Sequence, residues 1–142
     1  MEQKVLDLVN SGDELSIAIR CHLIVEHYLI QKIEQHLPLK NELNIASLNF
    51  RQKVELGVAL KAIDKDMKGT FLAINKLRNQ YAHDMDKCVT EKEVTELYST
   101  LTSQSRLALA HTDYDNYCSA GKLGGIMLML YCYLTANAQE IA

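Results

Sequence analysis

Apolar residues recur at three- and four-residue intervals along most of the chain, and period-two alternation of β-branched residues is almost absent, so the pattern predicts helices throughout. Ser11 and Glu14 fit a capping box, and from there to about His36 the residues Leu15, Ile19, Leu23, Ile30 and Ile33 keep helical spacing. Ile17, Ile24, Val25, Tyr28 and Leu29 make this helix apolar over more than half its circumference, which places it centrally in a bundle or at a subunit interface. Pro38 ends it. Residues 39–48 lose the period and carry Asn41 and Asn44, as a loop does.

Asn49 with Gln52 predicts the start of a second helix, carried to about Ile63 by Phe50, Val54, Leu56, Val58 and Leu60. Asp64 caps a third, through Met67, Phe71, Ile74, Leu77 and Tyr81. Thr90 and Glu93 form another capping box, opening a fourth helix to about Ala110 with the stripe Val94, Leu97, Tyr98, Leu101 and Leu107. A polar loop follows, and the last helix runs from about Gly121 to Gln139. Short connections favour antiparallel neighbours, so the expected fold is all-α: an up-and-down bundle of four to five helices.

At 142 residues the chain supports one domain, residues 1–142. An apolar fraction of 48% with 23% charged residues is that of a globular protein, and a single proline suits long helices. The net charge of -3 excludes a general pull on nucleic acid, so any such contact has to be local. Four cysteines without CxxC spacing, and no leader-like start, fit free thiols in a reducing cytoplasm. The longest apolar run, Ile126 to Leu134, is about half of what a bilayer requires, so no membrane partner is expected. A helix-turn-helix reader of DNA is hard to find: helices 49–63 and 64–83 are adjacent, but the second lacks the run of basic and amide side chains that a recognition helix needs at its start.

The groups suited to phosphate chemistry are concentrated in Arg78-Asn79-Gln80-Tyr81-Ala82-His83-Asp84, at the end of the third helix. Arg78 is permanently cationic and forked to grip a phosphate. His83 accepts or donates a proton near neutral pH, and Asn79, one turn earlier, is placed to hold its ring. On a phosphodiester of RNA, His83 would move the proton of the ribose 2′-hydroxyl or of the leaving 5′-oxygen, while Arg78 stabilises the phosphoryl charge. Tyr81 would stack on a base or donate its hydroxyl. This chemistry calls for no metal and no cofactor.

Arg78 and His83 are five positions apart, about 140° around a regular helix, so they share a site only if the last turn unwinds or a two-fold axis pairs two copies. Dipole compensation at a helix C-terminus is the other account of the same two residues.

Glu26 stands among Leu23, Leu29, Ile30 and Ile33, where an unpaired carboxylate is costly. A helix-helix salt bridge to Arg51 or Arg78 accounts for it, and so does a role in positioning Arg78. His22 and His27 lack the i, i+4 spacing of zinc helices and read as core or interface residues. His36 and His111 suit helix ends. Cys88 reads as a partly buried filler, and Tyr114, Tyr117, Tyr131 and Tyr133 as core and rim packing. Gly121, Gly124 and Gly125 lack the setting of a nucleotide loop.

Arg-Asn-x-x-x-His, following Phe71-Leu72-Ala73-Ile74-Asn75-Lys76-Leu77, resembles the signature of HEPN domains. Residues 48–56 with Ala59-Leu60-Lys61-Ala62-Ile63, and the helix of Ile24-Val25-Glu26, are similar to the branch that includes mannitol-operon regulators. The resemblance covers roughly residues 12 to 85 by motif, the last two helices matching only in kind. It implies a helical bundle that dimerises through the motif-bearing face. In many members it also implies metal-independent RNA cleavage by a toxin or defence effector, with an antitoxin as partner. Carried over, Arg78 and His83 are catalytic and Asn79 is their polar partner. In the regulator-like branch the same bundle implies instead a non-catalytic module that holds a protein partner or a nucleotide.

Overall fold

A computed structural model describes residues 1–11 and 13–136. Seven helices appear among them, with no strand. Helix α1 is Glu2–Asn10, and α2 is a continuous rod over residues 14–35 with a π-helical turn at Ile17–Cys21. Helix α3 is Phe50–Ala59 and α4 is Lys68–His83. Helices α5 (Glu91–Ser99), α6 (Ser103–Ala110) and α7 (Ser119–Thr135) complete the set.

Two caps form as the sequence predicts. Asn49 Oδ1 accepts from the Gln52 amide at 2.8 Å while Gln52 Oε1 accepts from the Asn49 amide at 3.0 Å, and Thr90 with Glu93 repeats the arrangement. The Ser11–Glu14 box does not form. Asp13 takes the capping position, Ser11 Oγ donates to the Leu8 carbonyl, and the Glu14 carboxylate is drawn away to Tyr81 and the Val89 amide.

Seven helices instead of four to five have two causes. Residues 2–10, too sparsely apolar to stand out, become helical by laying Val5, Leu8 and Val9 on the core. The expected fourth helix breaks after Ser99, where Thr70 Oγ1 donates to the Thr100 carbonyl at 3.1 Å and the Thr102 hydroxyl caps a new helix by accepting from the Ser105 amide. The break turns Leu107 out to solvent and puts Leu109 inside. The final helix begins at Ser119, and its expected end at residues 137–139 lies outside the described residues.

Helices α2 and α7 form the centre, with α3 and α4 packed on α2 and with α1, α5 and α6 on α7. Ile17, Val25, Leu29 and Ile33 meet Leu123, Ile126, Met127 and Leu130, and Phe71 and Ile74 of α4 complete the buried layer. The buried stripe of α2 is therefore the 17, 25, 29, 33 set, and Leu15 and Leu23 of the other stripe are half exposed. Helix α1 reaches α7 at Gly124, where a Cβ would lie 2.9 Å from Val9 Cγ1, so only glycine permits that approach. Among the described residues no helix is long and apolar enough to cross a membrane.

Candidate functional site

Helix α4 stays regular through His83 and stops at Asp84 in an extended conformation, so the last turn does not unwind. Arg78 and His83 remain on different faces of it. The apolar residues Phe71, Ile74 and Leu77 are buried, and this orientation carries Tyr81 into the core as well.

Tyr81 is 3% exposed, and its hydroxyl donates to the Glu14 carboxylate, which also accepts from the Val89 amide. Burial, then Glu14, pushes the phenol well above its ordinary range. The expectation that Tyr81 stacks on a base is corrected by this placement. Tyr81 instead ties the end of α4 to the start of α2 and to the connection before α5. Glu14 was legible only as a cap residue, because nothing in local sequence identifies partners sixty or more positions away.

Arg78 is half-buried on the α2 side, close enough to His22 for its charge to act on that ring. One Nη donates to Asn79 Oδ1 at 3.2 Å, and Nε is buried with no hydrogen-bond partner in the structure. Asn79 thus gives its carbonyl to Arg78 and not to the His83 imidazole.

Asn79 and His83 open onto the opposite side of the helix. There a groove of about 730 Å³ is lined by Arg51 at the start of α3 and by Asn75, Lys76, Asn79, Gln80 and His83 of α4, over a floor of Gly69, Leu72 and Ala73. Its placement follows from helical spacing: positions 69, 72, 73, 76, 79, 80 and 83 form one stripe. Arg51 and Lys76 were not singled out by sequence, because each is an ordinary surface cation until the packing of α3 on α4 puts Arg51 in the same groove as Lys76 and His83.

Glu26 does not pair with Arg51 or Arg78. Its Oε1 lies 2.6 Å from Nζ of Lys53, which is 4% exposed, while Arg51 pairs with Glu55 at 3.1 Å. The second Glu26 oxygen lies 3.8 Å from His22 Nδ1. His22 is 2% exposed and packs on Phe50 with ring centroids 4.5 Å apart. Burial lowers its pKa to about 4; Glu26 opposes that shift, and Arg78 and Lys53 add to it. The His22 ring is therefore neutral at pH 7. Lys53 is the residue that sequence reading missed, and its signal was a lysine set on the same face as Phe50, Val54 and Gly57.

The remaining candidates fall outside this region. His27 is exposed beside Gln31, and Cys88 is exposed instead of filling a gap. Cys21 is buried, which raises its thiol to about 11. Tyr114 and Tyr131 are buried, and the Tyr133 hydroxyl donates to Asp64 at 2.9 Å. Among the described residues no three His, Cys, Asp or Glu side chains are grouped as metal ligands. A separate apolar cavity of about 590 Å³ lies between α1, α6 and α7, lined in part by Leu6, Val9, Leu109, Leu128 and Met129. Comparison with family models, with curated proteins and with solved structures found no match for the chain.

Proposed function

We propose that this protein is a HEPN-type endoribonuclease that works as a homodimer and cleaves RNA by attack of the 2′-hydroxyl, without a metal, as a toxin or defence effector. The observation that carries this reading is the placement of His83 and Asn79 at the mouth of an open groove that also holds Arg51 and Lys76. His83 moves the proton of the 2′-hydroxyl or of the leaving 5′-oxygen, and Arg78 stabilises the charge on the phosphoryl oxygens. Because Arg78 and His83 face different sides of one α4, the complete site pairs His83 of one copy with Arg78 of the second across a two-fold axis. Glu26 pairs with Lys53 and lies near His22, so it does not hold Arg78 directly.

The test is incubation of the purified protein with single-stranded RNA in the presence of a chelator. Cleavage that is lost in His83→Ala is expected. No cleavage, or equal cleavage by that variant, overturns the reading.

A second reading is a non-catalytic regulatory module of the mannitol-operon-regulator kind that holds a protein partner or a nucleotide. The acidic net charge and the similarity of residues 50–63 to that branch favour it, and the apolar 590 Å³ cavity, whose lining holds no cation for a phosphate, suits an apolar group of a partner. Thermal stabilisation by a nucleotide, or recovery of a partner that protects the fold, supports this alternative. A neighbouring nucleotidyltransferase-like gene points to the toxin, and a sugar-transport operon to the regulator.

A further inference from the structure

The two grooves that flank Lys76 differ in charge. On the α5 side, the space of about 330 Å³ between α4 and α5 is lined by Lys76 and Lys92 but also by Glu93 and Glu96. On the α3 side, the larger groove has Arg51, Lys76 and His83 and no carboxylate in its lining. In a chain of net charge -3 the α3 side keeps an excess of positive charge even with Glu55 paired to Arg51, whereas on the α5 side the two lysines are balanced by two carboxylates, so a polyanion approaching α4 is favoured on the α3 side.

The groove is also long. From Gly69 to His83 it follows fifteen residues of α4, about 21 Å of rise, and Lys76 stands about 10.5 Å from His83 along the axis. Arg51 faces it from α3. The Arg51 Nε donates to Glu55 at 3.1 Å, which leaves the Nη groups for an anion, and both members of that pair are largely exposed. Between Lys76 and His83 along the helix lie Asn79 and Gln80; the Asn79 carbonyl accepts from Arg78 and the Gln80 carbonyl oxygen is buried, which leaves their amide N–H groups to donate to base edges or ribose hydroxyls, over the apolar floor of Leu72 and Ala73.

We propose that the α3–α4 groove is a track for single-stranded RNA in which Arg51 and Lys76 hold phosphates and so deliver the strand to His83. This rests on the reading of the motif as an RNA-cleaving one. Arg51 and Lys76 are substrate-holding residues here, and proton transfer stays with His83. Lys76 and His83 are spaced along the helix, and Arg51 stands on the facing helix, so separate phosphates of one strand can be engaged. The amides tolerate different bases, so the track selects a single strand with little sequence preference.

The experiment is fluorescence anisotropy with a labelled 2′-O-methyl RNA oligonucleotide, which lacks the attacking hydroxyl, titrated with the full chain at several salt concentrations. Arg51→Gln and Lys76→Gln should each weaken binding by about threefold to tenfold and each reduce the salt slope by about 0.7. Lys92→Gln, in the carboxylate-bearing groove, should leave both unchanged. The proposal is overturned if the wild type does not bind, or if both groove variants bind with wild-type affinity and slope. It is also overturned if they change only the oligomeric mass, because the groove is then a contact between copies. Binding through Arg51 and Lys76 without cleavage of unmodified RNA removes the nuclease reading and leaves the track. Cleavage with unaltered binding in the variants does the reverse.

Discussion

Within two turns of α4, one side of the helix is packed largely against α2 and the other lines an open groove. Towards α2, Tyr81 is buried under Glu14 and Arg78 sits beside the His22, Glu26 and Lys53 cluster. Towards α3, Asn79 and His83 stand with Arg51 and Lys76 at an open groove. The motif is thus divided between two environments. On the α2 side Tyr81 fixes where α4 ends while Arg78 stays partly exposed, and on the α3 side Asn79 and His83 are open to a ligand.

If that division is right, substitutions on the two sides have separable effects. His83→Ala should lower RNA cleavage by about 10²- to 10⁴-fold, the range of a lost proton-transfer group, with thermal stability nearly unchanged because the ring is exposed. A large fall in melting temperature for this variant would break the comparison. Glu26→Gln, on the α2 side, should behave oppositely. It leaves the Lys53 ammonium buried without its carboxylate, at a cost on the order of 2 kcal/mol, below that of a fully buried pair because Glu26 is 26% exposed. Urea unfolding measures it.

A smaller stability loss is expected for Tyr81→Phe, which removes one hydrogen bond to the Glu14 carboxylate while keeping the ring: about 1–2 kcal/mol by the same unfolding assay. Retained cleavage in this variant would sharpen the assignment of Tyr81 to packing. The effect that is smallest at pH 7 concerns acidity, and it grows as the medium is acidified. The folded His22 ring binds its proton only near pH 4, whereas the unfolded ring does so near 6.5. Between those values the unfolded state holds more protons, so stability falls as pH decreases, by up to about 1.4 kcal/mol per pH unit from this ring. Stability measured against pH should show a shallower acid limb in His22→Leu than in the wild type.

The all-α class, two of the capping boxes and the helix that carries the motif were legible because each is set by neighbours within four residues. What was not legible depends on distant partners. The Thr70 and Thr100 contact breaks a helix that periodicity alone continues to Ala110. Helix α2 carries two apolar stripes, and its packing on α4 and α7 chooses the one that contains Val25, Leu29 and Ile33. At the site, the spacing of Arg78, Asn79 and His83 was readable, and so was the divergence of Arg78 from His83. The burial of Tyr81, the Glu26–Lys53 pair and the company of Arg51 and Lys76 each join segments that are far apart in the chain.

The central claim is that cleavage uses Arg78 and His83 from different copies, and mixing two inactive variants tests it most directly. Arg78→Ala and His83→Ala, each inactive alone, are co-expressed so that mixed dimers form. A two-fold site leaves one intact Arg78 and His83 combination in each mixed dimer, and with half the dimers mixed about a quarter of wild-type cleavage should return. No recovery beyond the separate variants, with mixed dimers shown to be present, would contradict the account.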